Sequence, residues 1–249
     1  MKRALKFGSL GLMVLMGVAA GNKPQEVMAV KTAEAAPSGG ATLTGSVSVT
    51  GNVPAPAKIK MAADPACAQA HPDAVMSREI VANGGKLQYV LVYVKEGAAG
   101  TFPPPAESVV LNQTGCMYEP HVFGIQVGQK LEIVNNDSTL HNVNCQPKTN
   151  KKFNIAQPTK GMKSAKTFDQ PEAPISFKCN VHPWMAAYGG AFNHPFFAVS
   201  GADGSFSIKG LPAGTYTLEA WHEKLGVQTQ KVTVGDGESK EISFSFEAK

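Results

Sequence analysis

Between residues 41 and 249 every apolar stretch is short and punctuated, which excludes a helical fold before any motif is considered. Thr42 to Thr50 alternates around Leu43, Val47 and Val49, the period of a half-buried strand. Leu87 to Val94 is an apolar run too short and too β-branched for a helix. Similar runs follow at Ser108 to Leu111, Lys130 to Asn135, Ile175 to Cys179, Ser205 to Ile208, Thr215 to Ala220, Val227 to Val234 and Glu241 to Phe246. Turn signals separate them at Asn135-Asn136-Asp137, Asp203-Gly204, Leu211-Pro212-Ala213-Gly214 and Gly235-Asp236-Gly237. No internal repeat occurs at a fixed period, and no segment predicts a helix longer than a turn or two. The expectation is an all-β chain of sandwich or barrel type.

The start of the chain reads differently. Lys2, Arg3 and Lys6 precede an apolar run from Phe7 to Ala20, with small-residue exits at Val18-Ala19-Ala20 or Val27-Met28-Ala29, the pattern of a secretory signal over residues 1–20. An uncleaved anchor is the alternative, but the run falls short of the roughly 20 residues that span a bilayer. A periplasmic or otherwise exported protein is expected, with no stable membrane insertion once the signal is cleaved. Residues 21–40 carry few bulky apolar groups and end in Pro37-Ser38-Gly39-Gly40, a flexible linker. The formal charge of +4 includes three cations and no acids before Ala20, so the mature chain stands at +1. Nearly neutral, with its charges scattered, it lacks the clustered Lys and Arg that bind nucleic acid. Export also places the four cysteines in an oxidising compartment.

Two segments carry the chemistry: Asn135-Asn136-Asp137-Ser138-Thr139-Leu140-His141-Asn142-Val143 and Phe177-Lys178-Cys179-Asn180-Val181-His182-Pro183-Trp184-Met185. Together they offer two imidazoles, a thiol and a thioether, which is the donor set of a blue-copper site. Taken singly, these residues are more often a satisfied histidine, a buried thiol and a core methionine. Zinc also takes Cys and His, but methionine is a poor zinc ligand and one cysteine is few.

The two segments closely resemble the cupredoxin family, the plastocyanin, pseudoazurin and amicyanin group. Gln126-Val127-Gly128-Gln129-Lys130-Leu131-Glu132-Ile133-Val134-Asn135-Asn136-Asp137 is similar to that family's strand, glycine turn and strand, and His141-Asn142-Val143 continues the match. The resemblance implies one mononuclear type 1 copper, with His141 and His182 as imidazole ligands, Cys179 as thiolate and Met185 as axial ligand. It also implies that Asn142 ties the ligand segments together beside the sulfur, and that His182 turns its ring edge to solvent. The C-x2-H-x2-M spacing is the short loop of amicyanin-like members.

Cys67 and Cys116 stand in loop-like contexts where a disulfide could staple an irregular segment to the sandwich. His71 and His121 follow them closely, so a second Cys2His2 metal site is the alternative. Cys145 reads as a buried thiol or a dimer cross-link, and His194 and His222 as structural histidines.

Residues 199–249, with Asp203-Gly204-Ser205-Phe206-Ser207-Ile208 and Gly210-Leu211-Pro212-Ala213-Gly214-Thr215-Tyr216-Thr217-Leu218, resemble the carboxypeptidase regulatory-like, transthyretin-type sandwich. Gly45-Ser46-Val47-Ser48-Val49-Thr50-Gly51 is similar to that family's opening strand. The expected organisation is a sandwich built from residues 41–105 and 199–249, with a cupredoxin domain at 106–198 inserted between them; unrelated terminal extensions are the alternative. The function implied is an electron carrier, not an enzyme, that docks to a redox partner such as a c-type cytochrome or oxidoreductase around Pro183, Trp184 and the His182 edge. Copper binding or delivery without redox turnover and a surface binding module are alternatives. A multicopper enzyme would need more well-spaced histidines than the chain's six.

Overall fold

The computed structural model describes residues 39–249, which belong to one compact unit. The expected export signal and nearly all of the expected linker lie outside the described residues. Eighteen strands and one short α-helix form among the described residues. In chain order they are β1 (Ala41–Gly51), α1 (Pro65–Ala70), β2 (Ala82–Asn83), β3 (Lys86–Leu87), β4 (Leu91–Glu96), β5 (Val109–Thr114), β6 (Met117–Glu119), β7 (Val122–Gln126), β8 (Leu131–Asn135), β9 (His141–Gln146) and β10 (Phe153–Gln157). There follow β11 (Lys163–Lys166), β12 (Glu172–Lys178), β13 (Ala186–Phe192), β14 (Phe197–Val199), β15 (Ser205–Leu211), β16 (Gly214–His222), β17 (Gly226–Val234) and β18 (Ser239–Ala248). No helix among the described residues is long and apolar enough to cross a membrane. The chain is all-β, in several sheets.

Strand pairing sorts these elements into two sets. In the first, β1 pairs in parallel with β18 along one edge and antiparallel with β15 and β3 along the other. Facing this sheet is a second, in the order β14-β4-β16-β17. Alternation places Leu43, Val47 and Val49 of β1 and Ile242, Phe244 and Phe246 of β18 inward, where they meet Val92, Val94, Leu218 and Ala220 from the opposite sheet. The two ends of the described chain therefore share one core.

Leu87 to Val94 is not the single strand its composition suggests. Leu87 ends β3 in one sheet and Leu91 begins β4 in the other, and between them Tyr89 adopts a φ of +65°. Ser200 holds the crossing: its hydroxyl donates to Leu87 O and accepts from Val90 N–H. Leu91 to Val94 of β4 stay apolar because both faces are covered, Val92 and Val94 by the first core and Leu91 and Tyr93 by a junction cluster with Val122, Phe192 and Trp221. At this junction Gly124 of β7 is required by close approach, since a Cβ there would lie 2.2 Å from the ring of Phe197.

The second set pairs only within itself: β10-β9-β12-β13-β7 in one sheet and β11-β8-β5-β6 in the other. Between them lies a core with Leu111, Ile125, Ile133, Val143, Cys145 and Phe177. β9 and the end of β12 are adjacent strands, with Cys145 opposite Phe177 and Asn144 opposite Lys178. This register brings the start of β9 and the loop after β12 to the same end of the sandwich.

Candidate metal centre

His141 begins β9, and the turn before it is fixed by buried amides. Asn135 Nδ2 donates to Thr139 O at 3.0 Å and to Gln157 O at 2.8 Å, while Asn135 Oδ1 accepts from Asp137 N–H at 2.9 Å. Cys179, His182 and Met185 occupy the loop between β12 and β13. That loop is closed by its own backbone: Cys179 N–H donates to Met185 O at 3.1 Å and Met185 N–H to His182 O at 3.0 Å. His182 N–H points at Cys179 Sγ, 3.4 Å away.

The structure brings His141, Cys179 and His182 together, with one donor atom from each within 4.8 Å of the others. His141 Nδ1 and His182 Nδ1 face each other at 3.0 Å, and Cys179 Sγ lies 3.8 Å from His182 Nδ1. All three residues are buried, as is Met185, which shares the apolar cluster of Cys179. Asn142 Oδ1 accepts from Asn180 N–H at 2.7 Å and from the Cys179 thiol at 3.5 Å, joining β9 to the loop after β12.

Each imidazole is held from behind by a carboxylate that lay outside the expected ligand set. His141 Nε2 sits 2.8 Å from Asp137 Oδ2, and His182 Nε2 sits 3.0 Å from Asp64 Oδ2. A carboxylate partner fixes the N–H on Nε2 and leaves Nδ1 as the free donor of electrons. Two such lone pairs at 3.0 Å repel unless a proton or a metal cation lies between them, so the donor set fits a soft, cationic metal.

The electrostatics agree. Burial alone raises the Cys179 thiol, yet hydrogen bonds from His141 and the surrounding backbone draw it down to about 6. Burial alone lowers His141, yet hydrogen bonds with Asp137 and Cys179 push it up to about 9. A pocket that stabilises an anionic sulfur is ready for a cation. Asp64, against its own desolvation, is held down to about 2 by hydrogen bonds from His182, Thr139 and the backbone of Ala66 and Cys67.

Two expectations need correction. His182 is 2% exposed, so its ring edge does not face solvent; Asp64 and Cys67, whose Sγ is 3.6 Å from His182 Nε2, cover it. Cys67 lies on α1 instead of a loop. The expected disulfide between Cys67 and Cys116 is present, which removes the Cys2His2 alternative. His71 Nε2 instead bonds Gly115 O at 2.6 Å, and His121 lies between Ala186 O and the Glu223 carboxylate. Cys145 is a buried free thiol, while His194 and His222 bond to nearby backbone.

The surface beside the centre is mixed. Val181 and Pro183 are exposed, and Trp184 is half-buried with its indole N–H donating to Cys116 O at 3.0 Å. These residues and His182 line a groove of about 620 Å³ whose far wall is Ile59, Lys60, Ala63 and Asp64.

A family described as polysaccharide lyase family 4, domain II, matches residues 192–242. A comparison with curated proteins found no match. Among solved structures, a purple cupredoxin from Nitrosopumilus maritimus is similar at 21% identity and a TM-score of 0.29, over 34% of this chain and 99% of that one. A copper-containing nitrite reductase from Thermus scotoductus SA-01 is similar at 22% identity and a TM-score of 0.30, over 40% of this chain and 25% of that one. A reduced amicyanin variant is similar at 20% identity and a TM-score of 0.30, over 34% of this chain and 81% of that one.

Proposed function

We propose that this chain is an exported type 1 copper protein that carries single electrons between redox partners. The observation that carries the reading is the buried convergence of His141 Nδ1, His182 Nδ1 and Cys179 Sγ. Bound there, copper supplies a Cu(II)/Cu(I) couple, with the thiolate and thioether suited to Cu(I) and the imidazoles and thiolate to Cu(II). The chain's own part is to hold the donors still while that charge changes. Asp137 orients His141 and Asp64 orients His182. Asn142 ties the loop of Cys179 to β9, and Met185 at the loop's end would supply the thioether when copper is bound.

In this reading the cupredoxin domain spans residues 106–198 and the regulatory-like sandwich residues 41–105 and 199–249. The strand pairing supports an insertion, since β5 to β13 pair only among themselves while β4 and β14 on either side of them pair with each other. The partner is a redox protein such as a c-type cytochrome or oxidoreductase, meeting Val181, Pro183 and Trp184.

Titration with Cu(II) should give one equivalent bound and intense visible absorption from sulfur-to-copper charge transfer, absent in Cys179→Ala. A pale spectrum, or one that survives Cys179→Ala, overturns the reading. Copper binding or delivery without redox turnover is the second reading, favoured by the cover over His182, which lengthens the electron's route to a partner. Stopped-flow oxidation of the Cu(I) form by a ferric c-type cytochrome discriminates them: electron transfer without copper loss supports the carrier, and copper loss to a Cu(I) chelator without electron transfer supports delivery.

A further inference from the structure

We propose that residues 61–71 form a disulfide-strapped cap over the outer edge of His182, and that Asp64 within it is the positioning residue that keeps this imidazole in its ligating orientation and away from solvent. The role assigned to the imidazole rests on the copper reading; the cap itself does not.

A helix as short as α1, Pro65–Ala70, is not stable alone. It is held at its start by Asp64, whose Oδ1 accepts from Ala66 N–H at 2.8 Å and Cys67 N–H at 3.3 Å, with Pro65 in the first helical position. It is held from below by the Cys67–Cys116 disulfide. The other carboxylate oxygen, Oδ2, faces inward, accepting from Thr139 Oγ1 at 2.9 Å and His182 Nε2 at 3.0 Å. Asp64 therefore reads the position of the helix with one oxygen and sets the position of the ligand with the other.

The strap continues to the second ligand. Cys116 sits at φ +54° beside Gly115 at φ +58° in the two-residue turn between β5 and β6. That turn is gripped by Asp137, which accepts from Gly115 N–H and Cys116 N–H at 2.7 Å each. Asp137 is also the carboxylate behind His141. The two ligand imidazoles are thus braced by two carboxylates that are themselves joined through α1, the disulfide and the turn. Removing a partner that orients a ligand imidazole typically costs about 10–100-fold in metal affinity.

Two variants separate the cap from the carboxylate's hold on His182. Asp64→Asn keeps the side chain's bulk and, with its single oxygen in the Oδ1 place, an equally good helix cap, but its amide NH2 then faces His182 Nε2, so the acceptor and the negative charge are lost there. Asp64→Ala loses the cap and the bulk as well. In the metal-free protein, modification of His182 by diethyl pyrocarbonate is mapped by peptide mass and compared with the denatured chain. His182 should be protected in the parent and in Asp64→Asn, and should react in Asp64→Ala and in Cys67→Ser/Cys116→Ser. In the copper-loaded protein, Asp64→Ala should bind about 10–100-fold more weakly. Asp64→Asn should also bind more weakly than the parent, with its reduction potential shifted upward because a neutral amide stabilises the cupric charge less than a carboxylate. The proposal is overturned if His182 stays protected in Asp64→Ala and Cu(II) affinity changes less than twofold, or if Asp64→Asn leaves the potential unmoved. Protection is read without copper, so failure of the cap is distinguishable from failure of the copper reading.

Discussion

The two sandwiches bury different things. In the half built from the chain ends, the interior is Leu43, Val47, Phe206, Phe244, Phe246 and their neighbours, and the buried polar side chains are Ser200, Glu219 and His222. In the middle half, Gln113, Asn135, His141, Asn142, Gln157 and His182 are buried together around one end of the sandwich. Polar burial is costly unless every group is bonded, and the middle half meets most of that cost with a network: Gln113 to Gln157, Gln157 to Ile133 O, and Asn135 to Thr139 O and Gln157 O. One half uses its interior to stay folded, and the other uses part of its interior to place donors.

This contrast can be broken at several points. The largest effect should come from Phe246→Ala, which opens a cavity in the apolar core and should cost about 3–5 kcal/mol in denaturant unfolding. The visible copper spectrum should not change wherever the variant remains folded. A changed spectrum would show that the halves do not divide the labour as described.

Acid should act next, through the end-built half. His222 is buried among Phe246, Glu223 and His121, and its Nδ1 accepts from Lys224 and Leu225 N–H. Burial, reinforced by His121 and opposed by Glu223, lowers its pKa to about 4. The unfolded chain takes up this proton near pH ~6.5 and the folded chain does not, so stability is full above ~6.5 and declines as pH falls toward 4. The loss is on the order of 3 kcal/mol. His222→Asn should flatten that part of the stability profile; an unchanged slope would remove His222 as its source.

Copper at a hundredfold excess over its dissociation constant should add about 2.7 kcal/mol to stability, and Cys179→Ala should erase the increment. An increment that survives the substitution would mean the metal binds elsewhere. Asn135→Ala should cost about 1–3 kcal/mol by leaving Thr139 O and Gln157 O without their donor, and it should weaken copper binding through the turn that delivers His141. Stability falling with copper affinity intact would separate that network from the centre. Smallest of all, Lys163→Ala removes an exposed ion pair with Glu132 and should shift stability by less than about 0.5 kcal/mol, as read in urea.

How far the sequence could be read follows the same division. β18 is legible because it alternates without a break, Ile242, Phe244, Phe246 and Ala248 inward and the residues between them outward. Cys179, His182 and Met185 are legible as a group because three donors share one short loop. The break at Tyr89 is not legible, since a strand covered on both faces has no alternation to lose. Neither role of Asp64 is legible, since the segment around Cys67 reads as a loop and its helix cap emerges only with α1. The meeting of Asp64 with His182 spans 118 residues and depends on a disulfide and a hairpin turn that no local pattern encodes. Asp137 stands only four residues from His141, yet it reads as turn punctuation until the turn's geometry is known.

The parallel pair β1 and β18 has a consequence for the order of assembly. Thr42 aligns with Ser239 and Gly51 with Ala248, so the first described strand cannot complete its sheet until the last has emerged. Contacts that far apart in sequence close slowly, because most of the chain must be looped before they form. The middle half has no such wait, as every one of its strands pairs with another between Val109 and Phe192. During vectorial emergence the middle half can therefore mature first, and the strands on either side of it, β4 and β14, lie side by side with Tyr93 opposite Phe197. The finished middle half then acts as a molecular clasp, shortening the effective loop that β1 must close to find β18.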